Sequence, residues 1–189
     1  MPLTTHEDQP LKLATPELMQ RIRDVIKDTV RPSWVSPVPY NFGAAAAGTL
    51  KADEWRTMFT IYLPLALVSM WGEGTSHNTA QDAMKYRRVL DHTMALVSAV
   101  ILACKRTMTE ERASAYRMYV ATWVRELTNI YPEINHRPNN HMAQHIYDFI
   151  LLFGPVRSWW CFPFERIIGQ LQRMHTNHKF GAHAILLIY

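Results

Sequence analysis

Apolar side chains recur at helical spacing along most of the chain, and no convincing strand-like alternation interrupts them. Thr15 can cap a helix whose first residue is Pro16, and an apolar stripe then runs up to Arg31-Pro32, formed by Leu18, Ile22, Val25, Ile26 and Val30. Residues 32–48 are rich in proline and alanine, which predicts an extended linker or packed loop. The N-terminal part is therefore expected to be one amphipathic helix followed by an irregular connection.

A second apolar face begins near Trp55 and contains a proline. Pro64 is expected to kink or break this helix, because it has no amide hydrogen and its ring crowds the preceding turn. The apolar pattern resumes to Trp71, and Gly72 and Gly74 end it.

Two longer helices are predicted in the middle of the chain. The segment from about Thr79 to Cys104 is apolar on nearly all sides after Val89, which is typical of a central, buried helix. Thr107 and Glu110 have capping-box spacing, and the helix that they introduce keeps its apolar period up to Pro132.

The C-terminal part predicts two more helices. Asn139 or Asn140 can cap the first, which ends at Gly154-Pro155, and Pro163 can begin the second, which reaches about Met174. With helices predicted throughout, the expected fold is all-α, with little or no sheet.

Composition narrows the class of protein. The chain has 189 residues, of which 48% are hydrophobic and 19% charged, so it can bury a core and is not a disordered protein. Its net charge of +4 is compatible with nucleic acid as a partner. Two cysteines argue against a disulfide scaffold and for a reducing, intracellular compartment. We expect no membrane span, since the longest apolar stretches reach about half of the ~20 residues that one needs.

Two histidines have metal-ligand spacing. His141 and His145 are four residues apart, so on a helix their imidazoles lie one above the other and can bind one metal ion. Asp148 lies on the same side, as a third ligand or as a carboxylate that orients a histidine. The simpler alternative is that both histidines hydrogen-bond to backbone or water at the edge of the core. Met142 occupies the position where a zincin metalloprotease needs glutamate, which disfavours that chemistry.

The segment from Phe153 to Arg173 combines aromatic residues with a carboxylate and several cations. Glu165 is predicted in a first helical turn, about 120° from the centre of the apolar stripe, where it can face a cleft. The simpler explanation for a glutamate at this position is a favourable interaction of its carboxylate with the helix dipole. The neighbouring cations predict either phosphate contacts or a solvated surface, and those proposed for nucleic acid are Arg157, Arg166, Arg173 and Lys179.

Four segments of the chain together carry a family resemblance. The longest is RPNNHMAQHIYDFILLFGPVRSWWCFPFERIIGQLQR at residues 137–173; the others are LPLALVSMWG at 63–72, VLDHTMALVSAVILACKRTMT at 89–109 and TNHKFG at 176–181. These motifs resemble the C-terminal domain of eukaryotic cut-and-paste transposases of the CACTA (En/Spm) group and their Plavaka-type relatives. The resemblance covers residues 32–181, which it predicts to be a transposase-associated helical domain. The residues outside it are interpreted as an N-terminal helical extension at 1–31 and an atypical tail at 182–189.

The resemblance implies a role in DNA strand cleavage and transfer in the nucleus. Transposases of this class place three metal-binding acids on an RNase H-like core, and a cysteine pair and a histidine pair share one structural zinc. His141 and His145 match the histidine half, and Glu165, twenty residues after His145, matches the final acid. The implied cofactors are Mg²⁺ at the acids of the full-length enzyme and Zn²⁺ at the structural site.

The chain also departs from the family pattern. It has no Cys-x-x-Cys and no counterpart of the region that supplies the two catalytic aspartates, so we expect a fragment that acts only with the upstream RNase H-like region, on transposon-end DNA. One alternative is a non-catalytic transposon-derived module that binds DNA or protein. Another is a small zinc hydrolase that uses His141, His145, Asp148 and Glu165. Homo-oligomerisation is left open.

Overall fold

The computed structural model describes residues 15–173, and within them it is helical with no strand, which confirms the predicted all-α fold. The α-helices are α1 (Pro16–Asp28), α2 (Ala52–Thr57), α3 (Leu63–Trp71), α4 (Ala80–Ala103), α5 (Glu110–Ile130), α6 (Pro138–Phe153) and α7 (Phe162–Arg173). Within this range, no helix combines the length and apolar character that crossing a bilayer requires.

Local sequence signals explain where α1 and α4 begin. The Thr15 hydroxyl accepts a hydrogen bond from the Leu18 amide at 3.2 Å, and Pro16 is the first residue of α1. Thr79 caps α4 in the same way. The apolar stripe of α1 is shorter than predicted, because the helix ends at Asp28 and leaves Val30 outside it, 96% exposed.

Two predicted helix starts are wrong by a few residues. The cap of α5 is Thr109, whose hydroxyl accepts from the Arg112 amide, and not Thr107. The cap of α6 is Arg137 and not Asn139 or Asn140. Proline at the next position explains this second difference, since its fixed φ suits the first helical residue and its missing amide costs no hydrogen bond there.

Pro64 does not break its helix, because a π-turn precedes it. Residues 58–62 form one π-helical turn between α2 and α3, and the Leu63 amide donates to the Met58 carbonyl, five residues back. The wider turn gives room to the proline ring, which in an α-helix would crowd the carbonyl of Thr60. The result is a continuous helical rod from Ala52 to Trp71 instead of two separate helices.

The core has two parts that share α4. The first joins α1, the π-turn, α3 and the N-terminal half of α4, and its most deeply buried large side chains include Met58 and Tyr62. The second joins the end of α4 to α5 and α6, around Tyr116, Val120 and Ile150. The second half of α4 is thus central, as predicted, although Ile101 near its end is exposed.

The chain divides into two compact units, residues 1–159 and residues 160–189. The described part of the first unit contains α1 to α6, and that of the second contains α7. The tail at residues 182–189 lies outside the described residues, and the domain boundaries at residues 31 and 181 stay predictions.

Candidate functional site

The histidine pair lies on the outer side of α6. The helix packs against α5 through its other flank, formed by Ala143, Ile146, Tyr147 and Ile150. The Tyr116 hydroxyl of α5 donates to the Ala143 carbonyl at 2.7 Å, and the Arg117 guanidinium lies 5.0 Å from the centre of the Tyr147 ring. Because these contacts determine which flank of α6 faces inward, the flank with His141 and His145 faces solvent.

The two imidazoles come together as their spacing predicts. The Nε2 atoms of His141 and His145 are 3.1 Å apart, and the ring planes are nearly perpendicular. At that distance the two nitrogens can share one proton in a hydrogen bond or turn both lone pairs toward one cation. The pair is accessible from solvent, since 45% of the His145 side chain is exposed.

Asp148 lies behind His145 and not between the two histidines. Its Oδ2 is 3.3 Å from Nδ1 of His145, whose Nε2 faces His141. A carboxylate at Nδ1 favours a proton on that nitrogen, which leaves the lone pair on Nε2. Of the two roles considered for Asp148, this geometry corresponds to the orienting carboxylate.

Within residues 15–173, no three side chains of histidine, cysteine, aspartate or glutamate converge in a way that could hold a metal ion. The histidine pair therefore supplies two ligands, and a four-coordinate structural zinc would need the other two from elsewhere.

Glu165 belongs to the other compact unit. It is an exposed residue in the first turn of α7, and its amide donates to the Cys161 carbonyl at 3.0 Å. A carboxylate there interacts favourably with the helix dipole whatever else it does. Since the histidines lie in residues 1–159 and Glu165 in residues 160–189, the predicted metal ligands are divided between the two units.

The cations proposed for nucleic acid have different environments. Arg157 is partly buried in a 3-10 turn at residues 156–158. Arg173 is exposed at the end of α7, and Arg166 lies on the same helix. Lys179 lies outside the described residues. These placements leave the phosphate contacts a prediction.

The tryptophan-rich loop packs in part against α6. The Trp159 indole donates to the Gly154 carbonyl at 3.2 Å, and its ring meets Phe149 edge to face with centroids 6.0 Å apart. Gly154 has φ 77°, a left-handed conformation that favours glycine and that ends α6. Through these two contacts, Trp159 is packed against the end of α6.

One buried ionisable group, the imidazole of His92, was not identified from the sequence. His92 of α4 is buried, and its Nε2–H donates to the Trp123 carbonyl of α5 at 2.9 Å. It forms part of the wall of an open pocket of about 330 Å³ between these helices, which the Arg88–Glu126 ion pair also lines. The sequence could have indicated the burial of His92, because on α4 it lies three residues after Val89 and three before Ala95, on the side of the helix that faces the core.

No protein-family model, curated protein or solved structure matches this chain.

Proposed function

We propose that this chain is a segment of a cut-and-paste DNA transposase that provides the histidine half of a structural zinc site and the last metal-binding carboxylate, and that it acts only within a longer protein. The roles of His141, His145 and Glu165 come from the family resemblance. The separation of the two histidine nitrogens is the observation that carries the proposal.

This separation is close to what a zinc ion requires. Two nitrogens bound to tetrahedral zinc at the usual bond length lie about 3.3 Å apart. The Nε2 atoms of His141 and His145 are 3.1 Å apart. Asp148 supports the same function, because its contact with Nδ1 of His145 favours the tautomer in which Nε2 can bind a metal.

The incomplete ligand set is compatible with a segment of a larger enzyme. Two histidines make half of a structural zinc site, and the cysteine half would come from another region. In the same way, Glu165 alone cannot hold the two Mg²⁺ ions that activate a nucleophile and stabilise the leaving oxygen in DNA strand transfer. In this proposal the longer protein supplies the two other acids.

Metal titration of the purified chain tests the zinc half of the proposal. We expect calorimetry to detect weak Zn²⁺ binding, and we expect this binding to be lost in His141→Ala and in His145→Ala. In Asp148→Asn the Zn²⁺ affinity should fall by up to about tenfold. His136→Ala is the matched control, because His136 is an exposed histidine just before α6. Zn²⁺ affinity that is unchanged in both histidine variants would contradict the proposal.

DNA cleavage by a protein that joins this segment to the two upstream acids tests Glu165. The Glu165→Gln variant should bind transposon-end DNA with unchanged affinity and lose strand cleavage, because the amide is a poor Mg²⁺ ligand. Glu133→Gln, at an exposed glutamate between α5 and α6, serves as the control. Normal cleavage by the Glu165 variant would remove the catalytic role.

The second candidate is the non-catalytic module that binds DNA or protein. The observation that favours it is three consecutive exposed apolar residues at the end of α6, Leu151, Leu152 and Phe153. A salt titration of DNA binding separates the two partners. An affinity for DNA that falls steeply as the salt concentration rises indicates phosphate contacts. If the chain does not bind DNA even at low salt, the partner of this module is a protein.

A further inference from the structure

The sequence contains two sites where a hydroxyl residue precedes proline, Thr15-Pro16 and Ser36-Pro37. Proline-directed protein kinases phosphorylate serine or threonine at such dipeptides, and they bind the substrate as an extended segment. The sequence alone makes the two sites equivalent, because proline biases the preceding residue toward extended conformations in both. The surrounding structure distinguishes them.

Thr15 is protected by the helix that it caps. Its hydroxyl accepts a hydrogen bond from the Leu18 amide, and α1 begins at the next residue. Extending the residues after Thr15 would unwind the first turn of α1 and expose the buried Leu18 side chain. A kinase would therefore have to unfold part of the core to use this site.

Ser36 lies in a segment that already has the required shape. Residues 36–39 are neither helical nor part of a turn, and Trp34 just before them is 84% exposed. The Ser36 hydroxyl donates to Oδ2 of Asp53 in α2, which attaches the segment to the helix. Lifting Ser36 from this contact leaves α1 intact.

We propose that Ser36 is a site for an ATP-dependent, proline-directed protein kinase, and that its phosphate releases residues 32–37 from α2. In the reaction, the Ser36 hydroxyl oxygen attacks the γ-phosphorus of ATP and the Oγ–P bond forms. The bond from that phosphorus to the β–γ bridging oxygen breaks, ADP leaves and the serine proton passes to the base of the kinase. The inference does not depend on the proposed transposase function.

Release follows from the charges around Asp53. A phosphoserine is largely dianionic at neutral pH, since its second pKa is about 6. It cannot donate the hydrogen bond that Ser36 gives to Asp53, and it places like charge against that carboxylate. Arg56 is already engaged by this carboxylate, since its Nε donates to Oδ1 of Asp53 at 3.0 Å.

The displacement is expected to stop at Val38. This side chain is buried in the core that contains α1, and beyond it the Arg23 guanidinium of α1 donates to the Phe42 carbonyl at 3.0 Å. These contacts do not involve the Ser36 hydroxyl. Phosphorylation therefore changes residues 32–37 and leaves the helices in place.

Phosphorylation of the folded full chain tests the site. With a purified proline-directed kinase and ATP, mass spectrometry should find phosphate at Ser36 at least tenfold faster than at Thr15, and Ser36→Ala and Pro37→Ala should each abolish that signal. A synthetic peptide of residues 30–42 is the control for kinase competence. Modification of the peptide without modification of the folded chain, or equal rates at Thr15 and Ser36, overturns the proposal.

Limited proteolysis tests the release. Chymotrypsin should cleave after Trp34 several-fold faster in the phosphorylated chain than in the unmodified chain, while far-ultraviolet circular dichroism stays the same. The Asp53→Asn variant should show a smaller difference on phosphorylation, because the like-charge repulsion is removed. Cleavage that is unaffected by the phosphate, or a global loss of helix, contradicts the release mechanism.

Discussion

The imidazole of His92 joins two long helices from inside the protein. It donates to the Trp123 carbonyl, and its ring lies near the rings of Trp123 and Tyr131. Since a carbonyl only accepts hydrogen bonds, the neutral tautomer carries its proton on Nε2, and acid must protonate Nδ1. Burial lowers the pKa of His92 from its ordinary value of 6.5, and the nearby Arg88 acts in the same direction, while the Trp123 carbonyl and Glu126 oppose them.

The lowered pKa of His92 predicts a loss of stability in acid. As pH falls below about 6.5, the unfolded chain binds a proton at this histidine before the folded chain does. The free energy of unfolding therefore decreases from that pH down to the folded pKa. Urea unfolding between pH 8 and 5 measures the effect, and His92→Gln should have a weaker pH dependence over this range than the unsubstituted chain.

The exposed His136 provides the control for this measurement. His136→Gln should retain the pH dependence of the original chain. If His92→Gln and the original chain lose stability in parallel as the pH falls, His92 is not the group responsible.

At the scale of elements, the rod of α2, the π-turn and α3 is the part of the fold that departs most from the predicted pattern. The sequence shows an apolar stripe with a proline inside it, and both a break and a kink satisfy that pattern. The π-turn is a third solution, in which Met58 and Tyr62 both become buried in the core. Burial of this apolar surface can offset the cost that makes such turns rare.

Met58 is expected to contribute strongly to the stability of this element. Its side chain is 1% exposed, so Met58→Ala would leave a cavity and should lower the free energy of unfolding by about 2–5 kcal/mol. Met84→Ala is the matched control, because Met84 is 69% exposed on α4 and its truncation should change the value by about 0.5 kcal/mol or less. Equal values in urea unfolding would show that the π-turn does not anchor the core.

At the scale of the whole molecule, the division after Trp159 separates the predicted site residues into two groups. The histidine pair and the residues that orient it belong to one compact unit and Glu165 to the other. The zinc titration and the Glu165 cleavage assay therefore test residues of different units.

Truncation tests this division. A chain that ends at Trp159 keeps both parts of the hydrophobic core, so it should retain a cooperative urea transition and most of the helical circular dichroism signal. The control is a chain that ends at Ile130, which loses α6 and with it Ile150 from the second core. Loss of cooperative unfolding in the longer truncation would show that residues 160–189 are required for the first unit to fold.

Sequence reasoning was accurate for several features that depend on near neighbours in the chain. The helical period predicted the all-α fold, Thr15 and Thr79 lie at helix starts, and the i, i+4 spacing brought His141 and His145 together. Caps and spacing act through contacts within one or two helical turns, so the local sequence contains the necessary information. Where two signals of similar strength competed, as at Thr107 and Thr109 or at Pro138 and Asn139, the predicted helix start was wrong.

Tertiary structure alone decided the features that depend on distant residues. The burial of His92 and its hydrogen bond to the carbonyl of Trp123, 31 residues away, needed the folded structure. The same holds for the difference between Thr15, which caps a packed helix, and Ser36, which is bound to Asp53 seventeen residues away. The physical reason is that burial and long-range hydrogen bonds depend on which surfaces meet after the chain folds, and neither helical period nor residue spacing encodes that choice.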